Sequence, residues 1–387
     1  MKVTIGQVVD KIVGNDDRLT TQLDYYIGGE HIETSRIKVR NKGLLTTEKR
    51  NTLGYQFHYP FEPGDVLFMT KNPYLKKCGQ VDFSGICSIA TFVLRTKDEN
   101  ILLQDYLAVI TQTDSFWNYL EANKSGSVNY FITWKTLEQY EFELPDVAKQ
   151  KNISEIVFAM EELRSKYENQ LLATDELVKS QFIEMFKGGK YPIVKAAEVC
   201  GFITKGTTPS ANEIYSAPFQ DSIPYLKVYN LSFDGSMLFF EEPQYIAREI
   251  HEGKLARSKV YPNDVLMNIV GPPLGKFSLV NSDFPEWNIN QAIAIFRAKE
   301  SILPKFLLHA LMQPDVLKPF LDKAQGVRQL NFSLEQCRNL EFPLPPIAEQ
   351  EEFVLFAEQS DKSKMETKKS IENLGKMLKS YLSENVE

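Results

Sequence analysis

The chain repeats itself, and no other feature limits its fold as much. The stretch Phe142-Glu-Leu-Pro-Asp-Val-Ala-Lys-Gln150 returns about 200 residues later as Phe342-Pro-Leu-Pro-Pro-Ile-Ala-Glu-Gln350. From Ile101 to Phe186 the correspondence with Ser301 onward needs no gap. Leu103, Gly126, Leu144, Pro145, Ala148, Gln150, Lys179 and Ser180 recur as Leu303, Gly326, Leu344, Pro345, Ala348, Gln350, Lys379 and Ser380. Solenoid repeats run to about 20 to 50 residues, so each copy here is long enough to be a whole domain with a helix attached. The chain is a tandem duplication.

Each copy of the repeated motif opens a long helical segment. Between Asp146 and Lys187 there is no Pro or Gly, and Ile153, Ile156, Met160, Leu163, Tyr167, Leu171, Val178, Phe182 and Met185 recur at three- and four-residue steps. That spacing predicts a coiled-coil seam. The preceding Leu-Pro suits a helix start, because proline has no N–H to lose in the first turn. About 42 residues at about 1.5 Å each give a rod of roughly 60 Å. The second copy, Pro346 to Glu387, keeps Phe353, Phe356, Ile371, Leu374, Leu378 and Leu382 on its seam but places Ser360, Ser363 and Thr367 in the middle. An apolar stripe needs a partner. Pairing the two copies with each other favours an antiparallel arrangement; pairing between two chains in a dimer is the alternative.

The remainder reads as mixed α and β. Val66–Met69, Ala90–Leu94, Val265–Ile269 and Ala292–Phe296 have strand character, with turns at Glu62-Pro-Gly-Asp65 and Tyr261-Pro-Asn-Asp264, and Leu103–Ile110 and Leu303–Met312 read as short helices. The expected class is α+β: two mixed α/β heads at 1–145 and 188–345, joined by long helices at 146–187 and 346–387, a dumbbell with an approximate internal two-fold axis.

With 387 residues and 43% hydrophobic content, each head can hold its own core. The first ten residues lack a basic start and an apolar run, and no 18 apolar residues follow one another, so the expectation is a soluble, cytoplasmic protein without a membrane partner. Cys78, Cys87, Cys200 and Cys337 show no C-x-x-C spacing, and His31, His58, His251 and His309 form no H-E-x-x-H pair. Neither disulfides nor a metal or other cofactor is expected. The net charge of −7 runs against a nucleic-acid partner, yet the deficit is uneven: −2 in 1–145, −2 in 146–187, 0 in 188–345 and −3 in 346–387. Within the first head, Arg36, Lys38, Arg40, Lys42, Lys49 and Arg50 face only Glu33 and Glu48. Charge alone fits both a positive patch and a solvated basic loop.

The duplication, Leu344-Pro-Pro-Ile-Ala-Glu-Gln350 opening a helix, Gly206-Thr-Thr-Pro209 followed by Ile223-Pro-Tyr-Leu-Lys-Val228, and the Pro-Gly-Asp-Val-Leu strand start at Pro63 to Leu67 together resemble the specificity (S) subunit of type I restriction-modification systems. The resemblance spans essentially the whole chain. Asp146 and Lys149 depart from it where the second copy has Pro346 and Glu349. It implies a subunit that catalyses nothing. Each head would read one half of a split, asymmetric double-stranded DNA target, while the helices fix the gap and dock two methyltransferase (M) subunits, which restriction (R) subunits then join. Two heads on one face of B-DNA want centres about 34 Å apart, within reach of such a rod.

Donor-rich loops supply the DNA-contact candidates. In the first head these are Arg36, Lys38, Arg40 and Lys42, then Lys124, Ser125, Ser127 and Asn129 in a late loop. In the second they are Thr207, Thr208, Lys227, Tyr229, Asn230, Lys276, Arg328, Gln329 and Asn331. The bland reading of each is ordinary solvent exposure. Catalytic alternatives are poorer. Gly271 to Lys276 has three residues between its glycines and Phe277 where a phosphate-binding loop needs Ser or Thr. Asn72-Pro-Tyr74 falls short of the adenine-methylation motif. Asp234, Glu252 and Lys254 have the residue types of a magnesium nuclease site, but the other head has no equivalent. A coiled-coil scaffold that ignores DNA is the second functional reading.

Overall fold

The structure, a computed structural model, describes residues 1–271, 273–321 and 330–387. It divides into two compact units, Met1–Gln170 with Thr367–Glu387, and Leu171–Glu366.

In the first unit, strands Val9–Ile12, Thr91–Thr96, Val66–Met69 and Cys78–Gln80 form one antiparallel sheet in that order. Gly43–Leu44, Tyr25–Ile27, Gly85–Ser88 and Phe57–Phe61 form another, whose central pair is parallel. Among the described residues of the second unit the same plan returns. One sheet is Cys200–Lys205, Ile293–Ala298, Val265–Asn268 and Phe277–Leu279; the other is Tyr245–Ala247, Ser222–Leu226, Trp287–Ile289 and Lys259–Val260, again with a parallel central pair. The strands also follow each other along the chain in the same order. The duplication therefore extends through the first hundred residues of each copy, where the sequences agree only in outline.

The shared turn before the central strand shows how local chemistry was kept. Gly64 and Asn263 both take the left-handed conformation (φ 95° and 74°), open to glycine and tolerated by asparagine. Each sets a buried aspartate, Asp65 or Asp264, whose carboxylate accepts from Arg95 Nε at 2.8 Å or Arg297 Nε at 2.7 Å. The same carboxylates accept the backbone N–H groups of Glu62 and Tyr261, closing the turn.

Both long helices start from one kind of platform. Strand Lys2–Thr4 pairs with Glu141–Glu143, and strand Ile193–Lys195 with Glu341–Pro343, so the chain enters and leaves each head side by side. The first long helix then runs Val147–Phe186 and the second Ile347–Asn385. The repeated glutamine fastens each start. Gln150 Oε1 accepts from Leu103 N (2.9 Å) while its Nε2 donates to the carbonyls of Ile101 (2.8 Å) and Pro145 (2.9 Å). Gln350 does the same with Leu303 N (2.8 Å), Ser301 O (3.2 Å) and Pro345 O (2.9 Å). Both side chains are fully buried, so shape and donor-acceptor order explain why this residue survived duplication.

The helices run antiparallel within each unit. In the first, Ile153 and Val157 near the start of one helix share a core with Leu378, Tyr381 and Leu382 near the end of the other. In the second, Phe182 and Phe186 near an end pack on Phe353 near a start, with ring centroids 5.3 and 5.6 Å apart. The seam differs from its expected composition. Its buried positions on the first helix are Gln150, Ile153, Ser154, Val157, Glu161, Val178, Phe182 and Phe186, and Leu163 stands 41% exposed. On the second they are Gln350, Phe353, Ala357, Ser360, Lys364, Thr367, Leu374 and Leu382. Reading only apolar periodicity missed the carboxylate and ammonium groups that the seam buries. They are tolerated because each is paired: Glu161 with Arg36, and Lys364 with Asp175 at 2.9 Å and Asp361 at 3.1 Å.

No helix among the described residues is long and apolar enough to cross a membrane.

Two measurements follow from these packed elements. Replacing Gln150 by Leu leaves the N–H of Leu103 unsatisfied in the interior and should destabilise the protein by about 1–3 kcal/mol in chemical denaturation, with Gln350→Leu acting alike on the second unit. His309 is half-buried, with its Nε2 shut off from solvent and its ring edge-on to Phe353 (5.3 Å), and desolvation pushes its imidazole down to about 4. The unfolded chain takes up this proton near about pH 6.5. Folding stability should therefore be intact above that pH and fall, by up to about 3 kcal/mol, as the pH drops toward 4. His309→Val, which copies Val109 of the first repeat, should flatten that slope in denaturation melts taken across the window.

Candidate nucleic-acid interface

The candidate side chains separate according to whether the protein itself has already used them. Arg36 is 3% exposed; its Nε donates to Glu161 Oε1 (2.9 Å), and its Nη1 and Nη2 form a fork on Glu168 (2.6 and 3.1 Å). Arg40 adds bonds to Glu161 (2.8 Å) and Glu168 (3.2 Å). The basic patch expected around Arg36 and Arg40 is thus a clamp on the first long helix, because two carboxylates on that helix attract the guanidinium groups inward. Burial raises the Glu161 carboxyl above its ordinary range, against the pull of Arg40. Lys38 lies over the Phe158 ring (5.4 Å), and the exposed Lys42 over Tyr25 (3.9 Å) and Phe83 (4.3 Å). Asn230 is buried as well: its Oδ1 accepts from Lys227 N (2.8 Å) and its Nδ2 donates to Leu238 O (3.3 Å), which makes it a loop brace. Tyr229, next to it, has a buried hydroxyl and a phenol pushed up to about 12 by burial; Lys227 approaches its ring at 5.9 Å.

The late loop of the first head behaves differently. Ser125 and Phe131 exchange backbone hydrogen bonds (2.9 and 3.0 Å), forming a small ribbon whose tip carries the exposed Ser127, Val128 and Asn129. Lys124 at its base is paired with Glu121 and sits over Tyr130 (4.2 Å). Asn72 N donates to Tyr130 O, Thr70 N to Ala90 O and Ile89 N to Gln56 O, a chain of bonds that brings three further segments together beside the ribbon. The result is a cleft of about 830 Å³ lined by Tyr55, Gln56, Lys71, Asn72, Ser88 and Asn129 among others. Of these the sequence marks only Asn129 as a DNA-contact candidate, with Asn72 entering only through the incomplete methylation motif. The other segments lie far from it along the chain, so no local pattern could have collected them.

Equivalent loop ends meet in the second head. Phe332 N donates to Ile269 O and Ile269 N to Ala292 O, as Ile132 does to Thr70 and Thr70 to Ala90 in the first. Gly206 lies so close to the neighbouring chain that a Cβ there would stand 2.1 Å from Asn290 O, so only glycine fits. That contact sets Thr207 and Thr208 against a second segment: Thr208 Oγ1 accepts from Gln291 N (3.3 Å), and Thr207 Oγ1 accepts from Nε of the exposed Arg257 (3.1 Å). Asn331 is exposed on the strand paired with Val270–Gly271, and Lys276 lies beside the Phe233 ring (5.8 Å). Arg328 and Gln329 lie outside the described residues. Arg257 and Gln291 were missed because each is one polar residue in an ordinary turn.

The nuclease set does not hold together as a site. Glu252 is paired with Lys259 (2.5 Å), Lys254 with Glu213 (2.8 Å), and Asp234 bonds Ser232 (2.5 Å). His251, Glu252 and Glu286 do bring potential ligand atoms within 4.8 Å of one another. Yet Asn288 Oδ1 accepts from Ile289 N and Ser258 Oγ, so its amide nitrogen must point at His251 Nδ1 (3.0 Å). The imidazole then carries its proton on Nε2, facing Glu286 at 3.5 Å, and has no lone pair there for a cation.

The clamp is testable by itself. Arg36→Ala leaves Glu161 buried and underpaired and should cost about 3–5 kcal/mol in denaturant, whereas Lys42→Ala, at the surface, should stay within about 0.5 kcal/mol of the parent.

Residues 1–174 and 187–374 each match the family model for the type I restriction modification DNA specificity domain. The EcoBI specificity subunit of Escherichia coli is 30% identical over 141 residues, which is 36% of this chain and 29% of that protein, so the match takes in less than a third of the relative. Among solved structures, a chain from work on complex assembly and conformational transition of the type I R-M system is 18% identical, with a TM-score of 0.58, covering 100% of this chain and 97% of that one. The S subunit of a type I restriction-modification system from M. genitalium is 14% identical, with a TM-score of 0.55, covering 100% and 96%. At such identities the structural likenesses establish the fold, and the paired family matches carry the assignment: the chain belongs to the type I restriction-modification DNA specificity family, whose members are non-catalytic specificity subunits.

Proposed function

We propose that the chain selects the DNA target of a type I restriction-modification complex in the cytoplasm. Residues 1–145 read one half of a split, asymmetric site and residues 188–345 the other. The helices at 146–187 and 346–387 act as spacer, setting the gap and docking two methyltransferase subunits, through which restriction subunits join. The observation that carries this reading is one topology present twice with different side chains at matching loop ends. Where the first head offers Gln56, Lys71, Asn72 and Asn129, the second offers Thr207, Thr208, Arg257 and Gln291. Hydrogen-bonding side chains of this kind read base edges, and cations beside them hold phosphates. A repeat whose scaffold is constant and whose loop ends diverge suits a bipartite, non-palindromic target.

Purified with its methyltransferase partner, the chain should protect two short DNA segments separated by an unprotected gap, with affinity falling steeply as salt rises. A single continuous footprint would overturn the bipartite reading. Indifference to DNA, with partner binding unchanged after DNase, would favour the coiled-coil scaffold instead. Inserting seven residues into both long helices should change the gap while leaving both half-sites intact; altered half-sites would show that heads and spacer are not separable.

A further inference from the structure

Resting on the DNA-reading role proposed above, we propose that the first head recognises adenine in its half-site, using the carboxamides that line its cleft. Gln56, Asn72 and Asn129 come from three separate segments, and none of their side chains makes a hydrogen bond within the protein among the described residues. That sets them apart from Arg36, Arg40, Lys124 and Asn230, whose side chains are already engaged by the protein. Their convergence does not arise from a capping or bracing task.

The chemistry of the cleft selects the base. Guanine shows two acceptors in the major groove, which guanidinium and ammonium groups satisfy; adenine shows an acceptor beside a donor, which a carboxamide matches with its own donor and acceptor. The cleft holds three carboxamides and one cation, Lys71, exposed at its rim where a phosphate would lie. Apolar groups beside the carboxamides fit the same pair. Val128, next to Asn129 at the ribbon tip, is 84% exposed and Ile89, which lines the cleft, 47%, and such groups pack against the thymine methyl. A two-stranded ribbon is also a shape that the major groove admits, and the Ser125–Phe131 ribbon forms one wall of the cleft. Asn72 holds a left-handed backbone (φ 54°) at its edge, which asparagine tolerates.

The test uses the full chain bound to its methyltransferase partner and a duplex library randomised across both half-sites, with sequencing of the bound fraction. Gln56→Ala and Asn129→Ala are compared with the parent. Each carboxamide variant should lose about 5- to 100-fold of its preference for adenine at one position, or at two adjacent ones, in one half-site, while the other half-site is selected as before. The unchanged half reports that the complex is folded and assembled. Should the parent select a split site and both variants keep its adenines undiminished, this inference is wrong and the DNA-reading role stands. Loss of preference at guanine in place of adenine overturns it equally. If the parent selects no split site, the reading on which it rests fails as well.

Discussion

Everything in this molecule depends on how each long helix is launched and what its stripe is buried against. A buried glutamine, Gln150 or Gln350, ties the first turn of the helix to the loop before the short helix at Gln104–Ile110 or Pro304–Leu311, and so fixes the direction in which the rod leaves its head. Each compact unit then contains the start of one rod and the end of the other. The apolar faces of Ile153 and Val157, or of Phe182 and Phe186, find cover only from the partner helix and the head itself. Losing that cover would wet the core of the unit, which is why the matching positions Phe353, Ala357, Leu382 and Val386 stay apolar although every side chain has changed.

The seam is not a plain hydrophobic zipper. Glu161 and Asp361 stand 200 positions apart, at matching places in the repeat, and both are held by cations: Arg36 and Arg40 in one case, Lys305 (2.6 Å) and Lys364 in the other. Burying a charge is costly unless it is paired, so the buried Glu161 and Lys364 penalise any slip of the helices past their partners more sharply than leucines would. The pairing also differs in origin. In the first unit the cations come from the strand-connecting loop of the head; in the second they come from the short helix and the long helix itself. One inherited carboxylate has been satisfied in two ways.

At the other end of the sheets the side chains differ between the copies while the backbone is held alike. The loop ends around Thr70, Ala90 and Ile132, and around Ile269, Ala292 and Phe332, are laced by matching backbone hydrogen bonds. Because the backbone supplies that rigidity, the side chains are free to vary without loss of fold. Under the DNA-reading role proposed above, a new target would then require new loop side chains and no new scaffold.

By itself the sequence determined the duplication, the helix starts, the mixed α/β class and the family likeness, because each is written in local spacing: 3.6-residue periods, a turn before a strand, a motif that returns. It also marked Thr207, Thr208 and Asn129 through their turns. Tertiary structure alone decided which charges were available. Arg36 and Arg40 look identical to any surface basic pair until Glu161 and Glu168 arrive from more than a hundred residues away to claim them. Gln56 and Arg257 are unremarked in sequence, and Asn72 enters only through an incomplete methylation motif, until strand pairing gathers them beside distant loops. Local chemistry can be read from spacing, but ion pairing and cleft formation are settled by groups that meet only when the sheets close.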